Sequence, residues 1–335
     1  MSRHFVDVAG SRIPGWRVIF LVPPGDLAGR LRQLGAPVIE AGFGPGAGPA
    51  ASVRALRAAI GRLRPQIVHS HLSYADIVAP AAAAGFGTKL VTTEHGIAAD
   101  DVVYHGSALR SRVMAGVHTA RLRRFDAAIA VSAATKAAMV AKWRPRCPVE
   151  VIHNGVDHLT AAAPAPGLRV ASLARLSPEK GIESLLGAFA VLLRTHPEAT
   201  LTVAGDGPLR DRLVEAARPL GGGVRFPGFV PAERVLAEAD VVAQLSVWEN
   251  CSYTLLDAQA AGLGVVATRV GGNPELLPKR CLVDAASPGE VAAAILRQGS
   301  DVAARPRLGA WPSVADMCAR IGALYSRLCC PAGAS

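Results

Sequence analysis

The chain has 335 residues, half of them hydrophobic, and its 36 Lys and Arg exceed its 26 Asp and Glu to give a formal charge of +10. This length suits two domains of about 150 residues. The apolar runs are short and interrupted, well below the ~18–20 residues that a membrane span requires, so a spanning protein is not expected. The charge favours anionic partners, but aromatic residues are only 5% and no recognition motif accompanies the basic residues, so nucleic acid is not an expected partner.

The cysteines and the first residues of the chain predict the cellular compartment of the protein. Six cysteines show neither metal-ligand spacing nor a disulfide framework, and no charged and apolar leader opens the sequence. We therefore expect reduced thiols and a cytoplasmic protein. A basic helix predicted over Ala108–Arg124 allows two interpretations, contact with an anionic membrane at the inner membrane face or a solvated basic face. Its arginines are Arg110, Arg112, Arg121, Arg123 and Arg124.

The first half of the chain alternates strands with helices. A helix over Met1–Gly10 precedes a buried strand over Trp16–Val22. Further strands are predicted at Val38–Glu40, Gln66–His71, Lys89–Gly96, Ala127–Ser132 and Val149–His153. Such alternation is typical of a parallel, doubly wound sheet with right-handed crossovers. We assign residues 1–160 to this first domain.

The alternation restarts after a linker rich in Ala and Pro, which predicts a second α/β domain over residues 168–311. Its strands are expected at Leu168–Leu173, Thr200–Ala204, Val224–Phe226, Val241–Leu245, Val265–Thr268 and Arg280–Val283. A last helix, over residues 312–328, is expected to pack back on the first domain. The prediction is two facing Rossmann-like domains with a ligand cleft between their strand ends.

The stretch Val247–Gly262 predicts a strand end, a polar turn carrying Glu249, and a helix. Ligands of open parallel sheets bind outside the carboxyl ends of the strands, and helix-start amides bind anions. Glu249 is therefore predicted to meet polar groups of a ligand, and Asp257, eight positions on, to hold another part of it. The alternative is a pair of ordinary solvated carboxylates.

Arg175 and Lys180 follow another buried strand and precede a helix. Two cations at a strand end can neutralise a pyrophosphate leaving group, which is the stabilisation that phosphate chemistry most needs. Solvated loop cations are the alternative.

Five stretches between Leu168 and Leu277 resemble, in order, the donor-site landmarks of the retaining glycosyltransferases of family 4. They are Leu173–Gly181, Gly205–Pro208, Phe226–Phe229, Glu249–Asp257 and Gly271–Glu275. In that family a Glu, seven residues and a second Glu precede a helix, Ala-Gly, an apolar strand and Gly-Gly-x-Pro-Glu. Here the second Glu is Asp257, and Gly264 stands where the family usually has Pro.

The resemblance implies a GT-B fold and a nucleotide-sugar donor that is a substrate, with no cofactor and no metal. It implies that Glu249 holds sugar hydroxyls, Asp257 the ribose, and Arg175 with Lys180 the pyrophosphate. The catalytic residues carried over are Glu249, His95, Arg175 and Lys180, and the donor-binding residues are Arg175, Lys180, Ser252, Tyr253, Thr254, Asp257 and Gly205.

In the first domain, several stretches look like the strand ends of the family's acceptor domain. They are Val68–His71, Thr93–Gly96, Ala130–Ser132 and Ile152–Asp157. His95 is predicted to contact the donor or to polarise the acceptor hydroxyl, the alternative being a structural hydrogen bond. We expect His71 near the cleft and His69 in the core, on opposite faces of one strand. A metal site is not expected, because no carboxylate or Cys stands at ligand spacing.

The beginning of the chain departs from the pattern of the family that it resembles. Residues Ser2–Ala9 look like the family's first helix, which normally follows a strand and a Gly-Gly loop that touches the donor phosphates. Either the true reading frame begins upstream, or the enzyme works without this piece of its cleft. An unfilled sheet position is expected to expose the apolar faces of Val18–Val22.

The sequence thus predicts retaining transfer of a sugar from a UDP- or GDP-linked donor to a hydroxyl of a glycan, a glycolipid or a secondary metabolite. The main alternative is a non-catalytic or impaired glycosyltransferase-like subunit. Donor hydrolysis by the purified protein would distinguish the enzyme from such a subunit. A dinucleotide-dependent oxidoreductase would need a Gly-x-Gly-x-x-Gly turn after the first strand of a nucleotide-binding half, and none is present.

Overall fold

A computed structural model describes residues 2–97, 116–157 and 165–330. The chain divides into two compact units. The first unit is Met1–Gly155 together with Pro312–Ser335, and the second unit is Val156–Trp311. Every strand pair in the described residues is parallel, which is the pattern that strand and helix alternation predicts.

The elements follow one another along the chain as short strands and helices. The strands are β1 Phe20–Val22, β2 Val38–Glu40, β3 Ile67–His71, β4 Lys89–Glu94, β5 Ala127–Ala130, β6 Val149–Val151, β7 Arg169–Leu173, β8 Thr200–Ala204, β9 Val224–Gly228, β10 Val241–Gln244, β11 Gly264–Thr268 and β12 Leu282–Val283. The helices are α1 Ser2–Ser11, α2 Asp26–Gln33, α3 Pro49–Leu63, α4 Ser73–Ala83, α5 over residues 116–122, α6 Ala133–Trp143, α7 Ile182–Leu193, α8 Arg210–Ala217, α9 Ala232–Ala237, α10 Tyr253–Ala260, α11 Asn273–Leu276, α12 Pro288–Ser300 and α13 Val314–Cys329. Short 3-10 turns lie at Pro45–Ala47, Pro178–Lys180, Arg218–Gly223, Lys279–Cys281 and Val302–Ala304.

The first unit has two separate sheets within the described residues. Strands β3, β4, β5 and β6 form a four-stranded sheet in that order, and β1 pairs with β2 alone. The predicted strand Trp16–Val22 is paired only over Phe20–Val22. Its earlier residues have no neighbouring strand to extend the pairing in this part of the structure, so they remain irregular.

The prediction that an unfilled sheet position exposes apolar side chains is wrong for Phe20 and Val22 of β1, which are buried. Phe20 and Val22 are 8% and 3% exposed. They belong to one hydrophobic cluster with residues of α1 and α13, including Val8 and Met317. The rings of Phe5 and Phe20 also meet edge to face at 5.8 Å. Helix packing therefore supplies the burial that a neighbouring strand would give in a continuous sheet.

Helix α13 belongs to the first unit although it follows the second unit in sequence. Its capping box, in which Ser313 and Asp316 bond reciprocally, defines its start. Arg320 donates to the carbonyl oxygen of Val151 at 2.6 Å, and Arg327 to the carboxylate of Glu150 at 2.5 Å. These bonds hold α13 against strand β6.

The second unit has one six-stranded sheet in the order β12, β11, β10, β7, β8, β9. The chain runs outward from β7 to β9 and then returns to the other side of β7 with β10. The direction of the strand order therefore reverses between β7 and β10, which is where open α/β sheets bind ligands. Fully buried apolar side chains, among them Leu185, Phe189 and Leu201, fill one face.

The fold class predicted from the alternation is confirmed, and the ends of strands differ by a few residues from those predicted. Strands β2 and β8 have the predicted limits. The predicted strand Arg280–Val283 is reduced to Leu282–Val283, because Lys279–Cys281 forms a 3-10 turn. No described helix has both the length and the apolar composition needed to cross a membrane.

Candidate functional site

Two turns of the second unit meet where its strand order reverses. Lys180 lies in the turn after β7, and Glu249 in the turn after the neighbouring strand β10. The Lys180 ammonium donates to Glu249 Oε1 at 2.5 Å, and Ser246 Oγ donates to the same oxygen at 2.9 Å. The side chains of Lys180 and Glu249 remain 24% and 13% exposed. Residues 69 positions apart thus form a half-buried ion pair at the sheet's carboxyl edge.

The turn that carries Glu249 is held from two sides. The amide of Gly272 donates to the carbonyl oxygen of Glu249 at 3.1 Å, and the amide of Val247 donates to the carbonyl oxygen of Glu179 at 2.8 Å. Gly271 has a φ of 50°, and a Cβ there would collide with the Glu249 backbone oxygen. A side chain at Gly271 would therefore separate the two turns. The Gly-Gly turn positions Glu249 by backbone contact.

A hydrogen-bonded series of buried polar side chains supports this turn, and the sequence did not single it out. Asn273 Nδ2 donates to the Thr268 carbonyl oxygen at 2.9 Å, and Thr268 Oγ1 donates to the Ser246 carbonyl oxygen at 2.5 Å. Ser246 in turn donates to Glu249. Ser, Thr and Asn are common in turns, so only their burial and their order of contact indicate a positioning role.

Arg175 and Gly205 lie in the turns after β7 and β8. The Arg175 side chain is exposed, and its carbonyl oxygen accepts from the amide of Ser177 at 2.9 Å. A Cβ at Gly205, whose φ is 131°, would collide with the Ala174 carbonyl oxygen. The Leu176 amide donates to the Asp206 carbonyl oxygen at 2.9 Å across the same contact. Gly205 therefore holds two turns together, while Arg175 stays available to an anion.

Helix α10 begins a few residues after Glu249 in the turn. The Ser252 hydroxyl accepts from the Leu255 amide at 3.4 Å and donates to Gln244 Oε1 at 2.8 Å. This side chain thus caps α10 and ties it to β10. Tyr253 and Thr254 form the first turn, whose amides bind anions readily. Asp257 lies one turn later and is only 6% exposed.

A cavity of about 660 Å³ adjoins the turn after β10. Gly181, Ser246, Val247 and Thr268 line it, but Arg175, Lys180 and Glu249 do not. The cavity therefore borders the ion pair, because Ser246 lines it and donates to Glu249.

In the first unit, the structure gathers histidines from α1, β3 and the turn after β4. His71 Nδ1 lies 2.9 Å from His95 Nε2, and His4, His71 and His95 each present a ring nitrogen within 4.8 Å of the others. The prediction that His69 and His71 face opposite sides is wrong, because their rings stack at 4.4 Å. Side chains two positions apart in a strand share a face.

Burial lowers the pKa of every ring in this cluster. The pKa of His4 falls to about 4 and that of His69 to about 3, in both cases mainly by desolvation. Desolvation and the neighbouring histidines lower the pKa of His71 and His95 well below the ordinary value. The four imidazoles are therefore uncharged at neutral pH.

The basic helix predicted over Ala108–Arg124 contains a buried arginine. Arg121, 2% exposed at its side chain, bonds Asp76 through Nη1 and Glu94 Oε2 through Nη2, the latter at 2.8 Å. Asp76 also accepts from Ser70 at 2.5 Å. A membrane contact through Arg121 is therefore wrong, since the side chain is committed to two carboxylates. Arg123 and Arg124 are exposed, and Arg110 and Arg112 lie outside the described residues.

Two protein-family models match this chain, one in each half. The model of glycosyltransferase family 4 matches residues 12–158, and the model of group 1 glycosyl transferases matches residues 167–301. The two matches include the strand ends described above. The chain belongs to the family 4 glycosyltransferases.

The relatives of this chain carry the names of different enzymes. The chain is 31% identical over 223 residues to a glycogen synthase of Mycobacterium tuberculosis, and the match covers 63% of the chain and 54% of the relative. It is 30% identical over 246 residues to a human phosphatidylinositol N-acetylglucosaminyltransferase component, covering 69% and 49%. The chain thus matches about half the length of these relatives.

Solved structures share the two-domain GT-B fold. HepE of Anabaena, in a complex with UDP and glucose, superposes with a TM-score of 0.74 at 22% identity, covering 97% of this chain and 91% of that one. Sucrose-phosphate synthase of Thermosynechococcus elongatus superposes with a TM-score of 0.78 at 21% identity, covering 97% and 92%. At these identities the likeness establishes the fold alone.

Proposed function

We propose that this protein transfers a sugar from a UDP- or GDP-linked donor to an acceptor hydroxyl with retention of configuration. The observation that carries the proposal is the Lys180 and Glu249 ion pair at the strand-order reversal of the second unit. Complexes of the structural neighbour HepE with UDP-glucose support a nucleotide-sugar donor. The family membership supports the reaction class.

The charges at this edge suit the two ends of such a donor. Arg175 and Lys180 provide cations for the pyrophosphate, and the first-turn amides of Tyr253 and Thr254 provide further anion-binding groups. Both bonds that described residues make to the Glu249 carboxylate converge on Oε1. Its Oε2 is therefore available to accept from sugar hydroxyls. We assign the ribose hydroxyls to Asp257.

The transfer step needs positioning and charge stabilisation more than a protein nucleophile. The acceptor oxygen bonds the anomeric carbon as the bond from that carbon to the donor phosphate oxygen breaks, and the nucleoside diphosphate leaves. A phosphate oxygen takes the acceptor's proton on the same face, which preserves configuration. The leaving group gains negative charge, so Arg175 and Lys180 stabilise the transition state more than the ground state.

We assign acceptor binding to the first unit and include His95 in the machinery. An uncharged imidazole can accept a hydrogen bond from a hydroxyl or donate one to it. The lowered pKa of His95 favours that uncharged form. Whether the acceptor belongs to a glycan, a glycolipid or a smaller metabolite depends on groups beyond the reacting hydroxyl.

Profiling donor hydrolysis by the purified chain across UDP- and GDP-sugars tests the proposal directly. We expect one donor to be hydrolysed slowly without an acceptor and to yield a product sugar of unchanged anomeric configuration, read by NMR. Donor binding without hydrolysis or transfer would favour the alternative, a non-catalytic glycosyltransferase-like subunit. Inversion of configuration would overturn the retaining mechanism.

Replacing Arg175 or Lys180 singly with Ala is expected to weaken donor binding and slow transfer together. Each variant leaves developing pyrophosphate charge uncompensated, a loss of about 2–4 kcal/mol for one electrostatic group. Steady-state kinetics and donor titration measure the two effects. Arg194→Ala, at an exposed arginine just beyond the end of α7, is the matched control. Wild-type kinetics in both Arg175→Ala and Lys180→Ala would move the phosphate site elsewhere.

Activity is expected to persist in EDTA, because the cations assigned to the pyrophosphate are side chains that a chelator does not remove. The measurement compares transfer rates before and after exhaustive dialysis against EDTA. A loss of activity that a divalent ion restores would contradict the metal-independent mechanism.

A further inference from the structure

The histidine cluster of the first unit brings together residues that are distant in sequence. His4 comes from the first turn of α1, His71 ends β3, and His95 directly follows β4. Their three ring nitrogens lie within 4.8 Å of one another, and His71 and His95 are already in hydrogen-bond contact at 2.9 Å. His4 is buried, whereas His71 and His95 are half-buried, so the cluster has a solvent-facing side.

Three imidazole nitrogens are the ligand set of one common type of zinc site, in which the fourth position stays open. Tetrahedral geometry with Zn–N bonds of about 2.0–2.1 Å places ligand nitrogens roughly 3.3 Å apart. The separations here bracket that value, from 2.9 Å for one pair up to the 4.8 Å limit. Small ring movements would therefore bring all three nitrogens to one ion.

The protonation state is also compatible with metal binding, because an imidazole must be neutral at the nitrogen it offers. In the bond between His71 and His95, one ring directs its N–H at the other. On binding, that ring would carry its proton on its second nitrogen instead. Coordination thus replaces one hydrogen bond by a tautomer change and releases no proton from the rings.

Neighbouring residues hold the cluster in position. The ring of His69 stacks on that of His71, and both of its nitrogens are engaged, Nδ1 with Tyr325 at 2.5 Å and Nε2 with Thr93 at 2.7 Å. The ring of Phe5 meets His71 edge on at 4.6 Å. His69 is therefore a support and not a ligand, and its stacking together with Phe5 limits how far the His71 ring can move.

We propose that His4, His71 and His95 form a binding site for a single zinc ion in the first unit, with the fourth position open to water or a ligand. The ion is not part of the transfer chemistry. One consequence rests on the proposed function: a zinc-bound His95 is no longer free to meet the substrate. Zinc is then a reversible inhibitor whose removal by EDTA restores or raises the transfer rate.

The site is tested on the full chain, stripped with EDTA and without donor or acceptor. We expect calorimetric titration with zinc chloride to give one ion per chain, and X-ray absorption at the zinc edge to find three imidazole nitrogens. His4→Gln and His71→Gln should each weaken binding by more than about 100-fold, beyond the cost of outer-shell changes. His196→Gln, which removes a histidine of the second unit, should leave the affinity unchanged.

Several outcomes would overturn the site. They are the absence of a stoichiometric ion in the wild-type chain, fewer than three imidazoles in the absorption spectrum, and wild-type zinc affinity in both His4→Gln and His71→Gln. Should the variants not fold, the wild-type spectrum still decides. The inhibition is judged separately, since stoichiometric zinc with an unchanged transfer rate would contradict only the role given to His95.

Discussion

Replacing Glu249 with Gln or Ala is expected to lower the rate of sugar transfer by about 1000-fold or more, the upper range for one preorganised electrostatic group. The carboxylate would lose both its charge and the oxygen assigned to sugar hydroxyls. The fold should survive, because the side chain projects from a strand end and, among the described residues, is paired only with Lys180 and Ser246. Transfer kinetics at saturating donor and acceptor measure the effect.

Glu198→Gln is the matched control for the Glu249 variants. Glu198 is an exposed carboxylate in the turn before β8, at the amino edge of the same sheet. We expect wild-type kinetics from it and an unchanged melting temperature from all three variants. Unchanged turnover in Glu249→Ala would remove this residue from the site.

Replacing Arg121 with Met is expected to destabilise the first unit by about 3–5 kcal/mol, the usual cost of removing one partner from a buried ion pair. Asp76 and Glu94 would be left buried without their cation. Burial already raises the pKa of Glu94 to about 7 despite the arginine, which indicates how costly these charges are to bury. Hydrogen exchange of the β4 amides reports the stability of this unit.

Two further variants separate charge loss from lost packing at Arg121. Arg123→Met, at an exposed arginine two positions on, should change stability by less than about 0.5 kcal/mol. Adding Asp76→Asn and Glu94→Gln to Arg121→Met should recover part of the loss, because neutral amides cost less to bury than unpaired carboxylates. A triple variant no more stable than Arg121→Met would mean that the ion pairs are not the cause.

The turns that carry Arg175, Lys180 and Glu249 could be predicted because the sequence signals for a turn are local. Each follows a recognisable buried strand and precedes a helix, and parallel strands collect such turns at one edge. The residues that support Glu249 could not be found this way. Ser246 follows β10, Thr268 ends β11 and Asn273 begins α11, so their contacts depend on how β10 and β11 pair.

The same distinction holds in the first unit. Alternating strands and helices predicted its class, and the turn after Glu94 singled out His95. The sequence could not place His4 beside His71 and His95, because α1 is held there by tertiary packing on α2 and α13. Nor could it show that Arg121, in a run of basic residues, is buried between two carboxylates.

By itself the sequence determined the two-domain α/β class, the alternation that creates a ligand edge, and the turns that carry Glu249, Arg175, Lys180 and His95. These follow from hydrophobic periodicity and turn composition, which act over a few residues. Tertiary structure alone decided which of these charges pair, which polar residues support them, and that three histidines converge. Such contacts join residues that are distant in sequence, 69 positions apart for Lys180 and Glu249, and only the packed chain brings that pair within a hydrogen bond.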